Sequence, residues 1–259
     1  MAVYEEDLDE AIETVRAWIA EAKSILVLTG AGISTDSGIP DFRGPKGLWT
    51  KNPKAERMAT LDHYMSSREV RERSWKNRAD AGYAEREPNA GHHALADLEK
   101  TGRLHTLITQ NVDGLHLRGG TSAEKLVEIH GNVREVVCMD CGERAAMERA
   151  LARVRAGEAD PPCRSCGGIL KSATISFGQG LVRDDLQRSE EAAQGCDLLL
   201  AIGSTLGVFP IANVVPIAKS QGSRIVILNA EATEMDALGD VVIRGSISDV
   251  LPRLTSGTA

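Results

Sequence analysis

Short runs of apolar, mostly branched side chains alternate along the chain with segments of helical periodicity. The clearest run, ILVL at residues 25–28, predicts a buried parallel strand. Between Leu8 and Ile19, apolar residues recur at steps of four, three and four, which predicts a helix over residues 5–22. We expect further strands at residues 104–109, 125–129, 169–177, 197–202, 224–228 and 241–243, and further helices after Asn89 and at 247–254.

This alternation predicts an α/β fold with a doubly wound parallel sheet. Two inserts interrupt the pattern: a charged, helical segment at residues 45–87 and a cysteine-bearing segment at residues 135–169. The remaining residues, 1–44, 88–134 and 170–259, are predicted to form one large domain.

The first predicted strand ends in a glycine-rich loop, GAGISTDSGIPDFRG, at residues 30–44. Gly30 and Gly32 have no Cβ, so their backbone N–H groups can approach a phosphate closely. Two such glycines alone are a weak signal, because ordinary turns contain them too. The continuation is more specific, since it adds hydroxyls, a carboxylate, an aromatic ring and a guanidinium. Pro40 disfavours a helix just before it, so we expect the loop to carry an extra flap.

Polar residues also follow the ends of the other predicted strands. The run QNVDGLH begins directly after residue 109, and Gly203-Ser204-Thr205 follows residue 202. Parallel strands end at one common edge, where open α/β sheets bind their ligands. His130 follows the strand at 125–129 and precedes a glycine, so its ring should be exposed to this edge. With an unperturbed pKa of about 6.5, the imidazole suits a general base.

Four of the five cysteines form two CxxC pairs, with 21 residues between the pairs. Two such pairs at this separation form a tetrahedral thiolate site for zinc, with no position left open for water. The metal is therefore predicted to be structural, one ion per chain. A redox role is disfavoured, because neither pair opens a helix behind a strand. The predicted ligands are Cys138, Cys141, Cys163 and Cys166.

Composition narrows the class of partners. The formal charge of −7 and an aromatic content of 3% argue against a nucleic-acid-binding surface. The acidic start of the chain lacks the apolar core of a signal peptide, and no run approaches 18 apolar residues, so no membrane span is expected. Paired cysteines of this kind fit a reducing compartment, and we predict a cytoplasmic protein.

The motifs GAGISTDSGIPDFRG, TQNVDGLH and EIHG, the two CxxC pairs, the Gly-Ser-Thr turn and LNAE occur together in one chain. In this order the sequence resembles the sirtuin family, the NAD-dependent protein deacylases, from about residue 20 to residue 254. The resemblance implies a Rossmann-like domain and a small domain of a zinc ribbon and a helical module. It further implies that NAD and an acyl-lysine protein or peptide meet in the cleft, giving free lysine, nicotinamide and O-acyl-ADP-ribose.

The resemblance also implies roles for single residues. His130 would act as the base, and Asn111 would lie beside the nicotinamide ribose. Asp113, with Gln110 and Val112, would contact the ribose and carboxamide of the nicotinamide half. The remaining residues implied to bind NAD are Gly30, Ala31, Thr35, Asp41, Phe42, Arg43, Gly203, Ser204, Thr205, Asn229 and Ile247.

The sequence departs from the family pattern in two places. Ser172 and Ser176 stand where family members usually show a proline and an aromatic residue, which leaves the acyl and peptide preference open. A tyrosine and an arginine three residues apart mark the desuccinylase branch, but the alignment places Ser74 and Asn77 there. The run RERSWKNRAD looks more like the mitochondrial-type class II branch.

Three other functions compete with a deacylase at this point. A mono-ADP-ribosyltransferase would use the same NAD pocket and transfer ADP-ribose to an acceptor. A non-catalytic zinc-ribbon binding module would keep the fold without turnover. An NAD dehydrogenase would produce NADH, although no residues are arranged for hydride transfer.

Overall fold

The structure is a computed structural model, and it describes residues 2–3, 8–42, 44, 47–52, 60–80, 82 and 85–257. Arg43 and the predicted helical residues 5–7 lie outside these ranges. Within them, the chain forms a seven-stranded sheet and a separate three-stranded sheet, with helices on both faces of the larger one. The predicted α/β fold is therefore confirmed.

The large sheet is parallel throughout and takes the strand order β1-β10-β9-β8-β2-β3-β4. The interior strand β2 and its two neighbours, β8 and β3, are almost fully buried, because helices cover the two faces. The strands of the whole chain are β1 Ala2–Val3, β2 Ile25–Thr29, β3 Leu104–Thr109, β4 Leu126–Glu128, β5 Gly131–Cys138, β6 Arg144–Ala146, β7 Leu170–Thr174, β8 Leu198–Ile202, β9 Arg224–Leu228 and β10 Val241–Ile243.

Helices pack on the two faces of the large sheet. In α1, the predicted apolar stripe is buried, with Ile12, Val15 and Ile19 at most 2% exposed. Together with α5 and α10 it covers one face, whereas α8 and α9 cover the other. The described helices are α1 Leu8–Glu21, α2 Leu48–Lys51, α3 Leu61–Ser66, α4 Arg68–Asp80, α5 Ala90–Lys100, α6 Leu115–Arg118, α7 Met147–Arg155, α8 Arg183–Gly195, α9 Val214–Ser220 and α10 Ile247–Thr255.

The three-stranded sheet is antiparallel, in the order β6-β5-β7. Strand β7 thus pairs with β5, although the division into domains predicted from the sequence placed residues 170–259 with the large sheet. A strand's own composition does not reveal its partner, because pairing depends on residues far away in the chain. The division itself stays a prediction.

Helices α3 and α4 pack against the three-stranded sheet. Trp75 of α4 is completely buried in a cluster with Val136 and Cys138 of β5. The hydroxyl of Tyr64 in α3 donates to the carbonyl of Leu170 at 2.7 Å. The predicted helical insert and the cysteine-bearing insert are therefore in contact. None of the helices that the structure describes is both long and apolar enough to cross a membrane.

Candidate active site

The carboxyl edge of the large sheet opens into a cavity of about 1180 Å³. This exceeds the roughly 300–1,000 Å³ of ordinary small-molecule sites, so the cavity has room for a dinucleotide beside a second ligand. All the predicted catalytic and NAD-binding residues that the structure describes line it, whereas Arg43 lies outside the described residues. They are Gly30, Ala31, Thr35, Asp41, Phe42, Gln110, Asn111, Val112, Asp113, His130, Gly203, Ser204, Thr205, Asn229 and Ile247.

Two glycine loops meet at the floor of the cavity. The N–H of Gly32 donates to the carbonyl of Gly203 at 2.8 Å, and the N–H of Gly30 donates to the carbonyl of Ile202 at 3.0 Å. Gly203 has a φ of +64°, and a Cβ there would lie 2.6 Å from the backbone nitrogen of Ile33. Glycine is therefore required here both for the left-handed backbone and for the close approach.

A buried polar cluster links the loop after β2 to the residues after β3. The Asp113 carboxylate accepts from the Ser34 hydroxyl at 2.8 Å and from the backbone N–H of Leu115 at 2.9 Å. The Asn111 side-chain amide donates to the carbonyl of Gly30 and to the Ser34 hydroxyl, both at 3.1 Å. Burial raises the pKa of Asp113 above its usual 3.8, although these hydrogen bonds oppose the rise.

The remaining predicted contacts lie at the ends of β8, β9 and β10. The Gln110 side chain donates to the Ser204 hydroxyl at 3.0 Å, which joins the loops after β3 and β8. Asn229 is 9% exposed, and its amide donates to the carbonyl of Glu231 at 2.8 Å. Ile247, at the start of α10, supplies a buried apolar wall.

His130 lies between β4 and β5, at the junction of the two sheets. Its Nδ1 is 3.0 Å from the carbonyl oxygen of Gln110. A carbonyl can only accept, so Nδ1 carries the proton of the neutral ring and Nε2 keeps its lone pair. Burial lowers the pKa of His130 below the usual 6.5, and the bond to Gln110 offsets this only in part. The imidazole is thus neutral at pH 7.

The four predicted metal ligands come together at the end of the three-stranded sheet where β5 ends and β7 begins. Their sulfur atoms all lie within 4.8 Å of one another. Two of these separations, Cys138 to Cys166 at 3.5 Å and Cys141 to Cys163 at 3.8 Å, match the edge of about 3.8 Å expected for four sulfurs at 2.3 Å from zinc. The cluster fits a structural zinc ion, because all four positions of the tetrahedron are taken by thiolates.

Comparison with known proteins identifies the family of this chain. A family model described as the Sir2 family matches residues 30–210. An NAD-dependent protein deacetylase 2 of Streptomyces coelicolor is 48% identical over 233 residues, which are 90% of this chain and 97% of that protein. The chain belongs to the Sir2 family. It is an NAD-dependent protein deacylase, the activity predicted from its motifs.

Two further Sir2 proteins are similar to this chain over nearly its whole length. An NAD-dependent protein deacetylase 1 of Bradyrhizobium diazoefficiens is 41% identical over 253 residues, 97% of this chain and 98% of that protein. The solved structure of Sir2Tm bound to a propionylated peptide has a TM-score of 0.82 and 29% identity, covering 94% of this chain and 96% of that one.

The structure of this Sir2 chain adds cavity residues that sequence reasoning missed. Lys171 of β7 and Tyr64 of α3 line the same cavity as His130. In α4, Ser74 and Arg78 line it, but Asn77 is exposed and is not part of its lining. The helical period alone could not separate Arg78 from Asn77, because residues three apart and residues four apart both share a helix face with Ser74.

Proposed function

We propose that this Sir2 enzyme removes acyl groups from lysine side chains of proteins or peptides, releasing nicotinamide and O-acyl-ADP-ribose. The observation that carries the proposal is the orientation of His130, whose Nδ1 is held by a carbonyl while Nε2 is left to accept a proton beside the cavity. NAD, the co-substrate, would supply the ribose carbon that accepts the acyl oxygen as nicotinamide leaves, and one water molecule would be consumed when the C–N bond to lysine breaks.

The roles of the other residues follow from their contacts. His130 accepts a proton at Nε2 from a ribose hydroxyl, which requires a neutral ring. Asp113, already fixed by Ser34 and Leu115, receives the carboxamide end of nicotinamide. Asn111 is fixed by two hydrogen bonds and orients groups at the nicotinamide ribose.

The glycine loops and the strand ends hold the rest of the dinucleotide. Gly30 and Ala31 begin the turn after β2 that receives phosphate, because small residues admit close approach to backbone N–H groups. Ser204, Thr205 and Asn229 then lie at the ends of β8 and β9, where the adenosine half would bind. Asp41 and Phe42, which follow the turn after β2, also line the cavity, and Phe42 is 40% exposed.

The branch of the family and the cellular compartment are also proposals. The polar run RERSWKNRAD, which forms most of α4, supports the mitochondrial-type class II branch of the family. Thiols gathered for zinc rather than joined as disulfides support the cytoplasm as its compartment.

Incubating one peptide as a series of acyl-lysine derivatives with NAD tests the function. We expect nicotinamide and deacylated peptide in equal amounts, with the peptide losing the acyl mass in a mass spectrum. A gain of the ADP-ribose mass would instead identify the ADP-ribosyltransferase, and absorbance of NADH would identify a dehydrogenase. Nicotinamide release that His130→Ala leaves unchanged would identify the non-catalytic module and contradict the proposal.

A further inference from the structure

Arg134 of β5 forms a bidentate ion pair with Glu128 of β4. Its Nη1 and Nη2 donate to Oε1 and Oε2 of that carboxylate, both at 2.6 Å. The two residues flank His130 in the sequence, and Glu128 is the register partner of Thr109 at the end of β3. A forked pair of this kind fixes the orientation of the guanidinium as well as its position. Arg134 is therefore held at the junction of the two sheets.

The same guanidinium lies against the turn that carries Asp113. Gly114 has a φ of +76°, and a Cβ there would lie 2.7 Å from Nη1 of Arg134. The N–H of Val133 donates to the carbonyl of Val112 at 2.9 Å, which ties the start of β5 to the same turn. Because position 114 has no side chain, the guanidinium has room beside the backbone that follows Asp113.

Asp113 is a buried carboxylate whose charge is opposed by its surroundings. It is 9% exposed, and burial raises its pKa above the usual 3.8. The hydrogen bonds from Leu115 and Ser34 act in the opposite direction, and so does the positive charge of Arg134. The Ser34 hydroxyl and the N–H of Leu115 are neutral groups. Among the described residues that act on Asp113, Arg134 is thus the one that brings a charge.

The carboxylates around Arg134 differ in how they are engaged. The charges of Glu128, Glu135 and Asp113 all act on the guanidinium. Glu128 takes the forked hydrogen bonds, and Glu135 pairs with Arg144 at 2.7 Å. In the part of the chain that the structure describes, Asp113 forms no ion pair of its own. Its charge is therefore the one that depends on Arg134 acting from a distance.

We propose that Arg134 is a positioning residue of the nicotinamide site, which keeps the Asp113 carboxylate ionised and its turn in place for the carboxamide. The inference rests on the proposed deacylase function, in which Asp113 receives that carboxamide. An ionised carboxylate accepts a hydrogen bond from the amide N–H of nicotinamide, whereas protonation turns one of its oxygens into a donor. The Arg134 side chain is 39% exposed and is not among the residues that line the cavity, so it acts through Asp113 and does not touch nicotinamide.

The titration of Asp113 is the first test. Carbon-13 labelling of the aspartate carboxyl groups, with Asp113→Asn to identify the resonance, gives the midpoint in the enzyme without ligands. We expect Arg134→Met to move this midpoint to higher pH, because a nearby positive charge is lost, and Arg134→Lys to restore most of it. Arg144→Met is the matched control, since it removes an arginine of the same sheet from an exposed ion pair and should leave the midpoint in place. An unchanged midpoint in folded Arg134→Met overturns the inference.

Exchange of labelled nicotinamide into NAD, with an acyl-lysine peptide present, is the kinetic test. As pH falls, the half-saturating nicotinamide concentration should rise earlier in Arg134→Met than in the wild type. At one acidic pH the two should differ by about 2-fold to 5-fold, the range of a partly exposed charge interaction, with little change in the maximal rate. A loss confined to the maximal rate, or an equal rise in Arg144→Met, would contradict a role through Asp113.

A second variant covers the case that Arg134→Met does not fold by circular dichroism. Arg134→Gln removes the charge but keeps a hydrogen-bonding side chain toward Glu128, and the same shifts are expected in both tests. The two proposals fail separately. If no acyl peptide supported nicotinamide exchange, the deacylase function would be wrong, while the titration of Asp113 would still decide whether Arg134 maintains its charge.

Discussion

The Nδ1–H of His130 donates to the backbone carbonyl of Gln110 across 3.0 Å, and the Gln110 side chain in turn donates to Ser204 at 3.0 Å. One residue thus sets the tautomer of the proposed base and joins two strand-end loops. The carbonyl belongs to the backbone, so its place is fixed by the pairing of β3 with β2. The orientation of the imidazole is consequently a property of the sheet.

Replacing His130 with alanine should separate the two halves of the reaction. Formation of deacylated peptide should fall by about 10²-fold to 10⁴-fold, the usual contribution of a general base. Exchange of labelled nicotinamide into NAD should fall less, because departure of nicotinamide comes before the proton transfer assigned to this ring. His105→Ala, at an exposed position on β3, is the matched control and should change neither rate. Equal losses in exchange and deacylation would place His130 in binding instead.

The acid limb of the pH profile should reflect the same imidazole. Its pKa is lowered by burial from 6.5, and the base works only when unprotonated, so activity is lost as pH falls through the lowered pKa. We therefore expect the midpoint of the acid loss of kcat/KM to lie below pH 6.5. An inflexion above pH 6.5 in the steady-state profile would contradict this assignment.

Much of the sheet could be predicted from the sequence, because buried parallel strands are continuous apolar runs. The strands at 224–228 and 241–243 were predicted with the bounds that the structure shows. The cavity residues at the strand ends could be predicted as well, since parallel strands share one carboxyl edge.

The part of the cavity wall that β7, α3 and α4 supply could not be predicted in the same way. Lys171 lies in a strand of mixed polarity, LKSAT, whose side-chain directions depend on pairing with β5. Residues of α3 and α4, which are distant in sequence, line the same cavity, and Tyr64 of α3 donates to the carbonyl of Leu170 next to Lys171. Charged residues of a polar helix such as α4 usually face solvent, so only the packing of Trp75 identifies the side of the helix that turns inward.

The cysteine cluster should hold one zinc ion per chain. Cys166→Ser should lose the metal and lower the midpoint of thermal unfolding, because structural zinc contributes directly to folding. Cys196→Ala is the control, since that buried thiol lies outside the cluster and should keep the full zinc content. Metal analysis and differential scanning calorimetry measure both effects. Cobalt in place of zinc should support deacylation, because the metal has no open ligand position; a large change in kcat would argue against a purely structural role.

Acid should destabilise the protein through two buried histidines in contact, His92 and His116. Burial lowers the pKa of His92 to about 4 and that of His116 well below its usual 6.5. Between pH 6.5 and 4 the unfolded chain binds more protons than the folded one. The free energy of unfolding therefore decreases as the pH is lowered, by at most about 1.4 kcal/mol per pH unit for each ring.

His92→Gln tests this linkage, because glutamine can keep the capping hydrogen bond that His92 makes to the backbone of Asn89 but has no titrating ring. Urea unfolding at pH 8 provides the reference, since histidine is neutral in both states there. We expect a shallower loss of stability toward pH 5 in the variant than in the wild type. Parallel stability curves for the two proteins would show that His92 does not carry the effect.

The junction of the two glycine loops should tolerate no side chain. Gly203→Ala combines a φ of +64° with a Cβ 2.6 Å from the nitrogen of Ile33, whereas Gly222→Ala has a φ of +89° and no atom within 4 Å. The second variant therefore measures the backbone strain alone, about 1–3 kcal/mol. Gly203→Ala should lose more than this in urea unfolding and should also weaken NAD binding in titration calorimetry, because the loops after β2 and β8 must separate to admit the methyl group. If both variants lost the same stability and bound NAD equally well, the close approach of the two loops would not be what requires glycine at position 203.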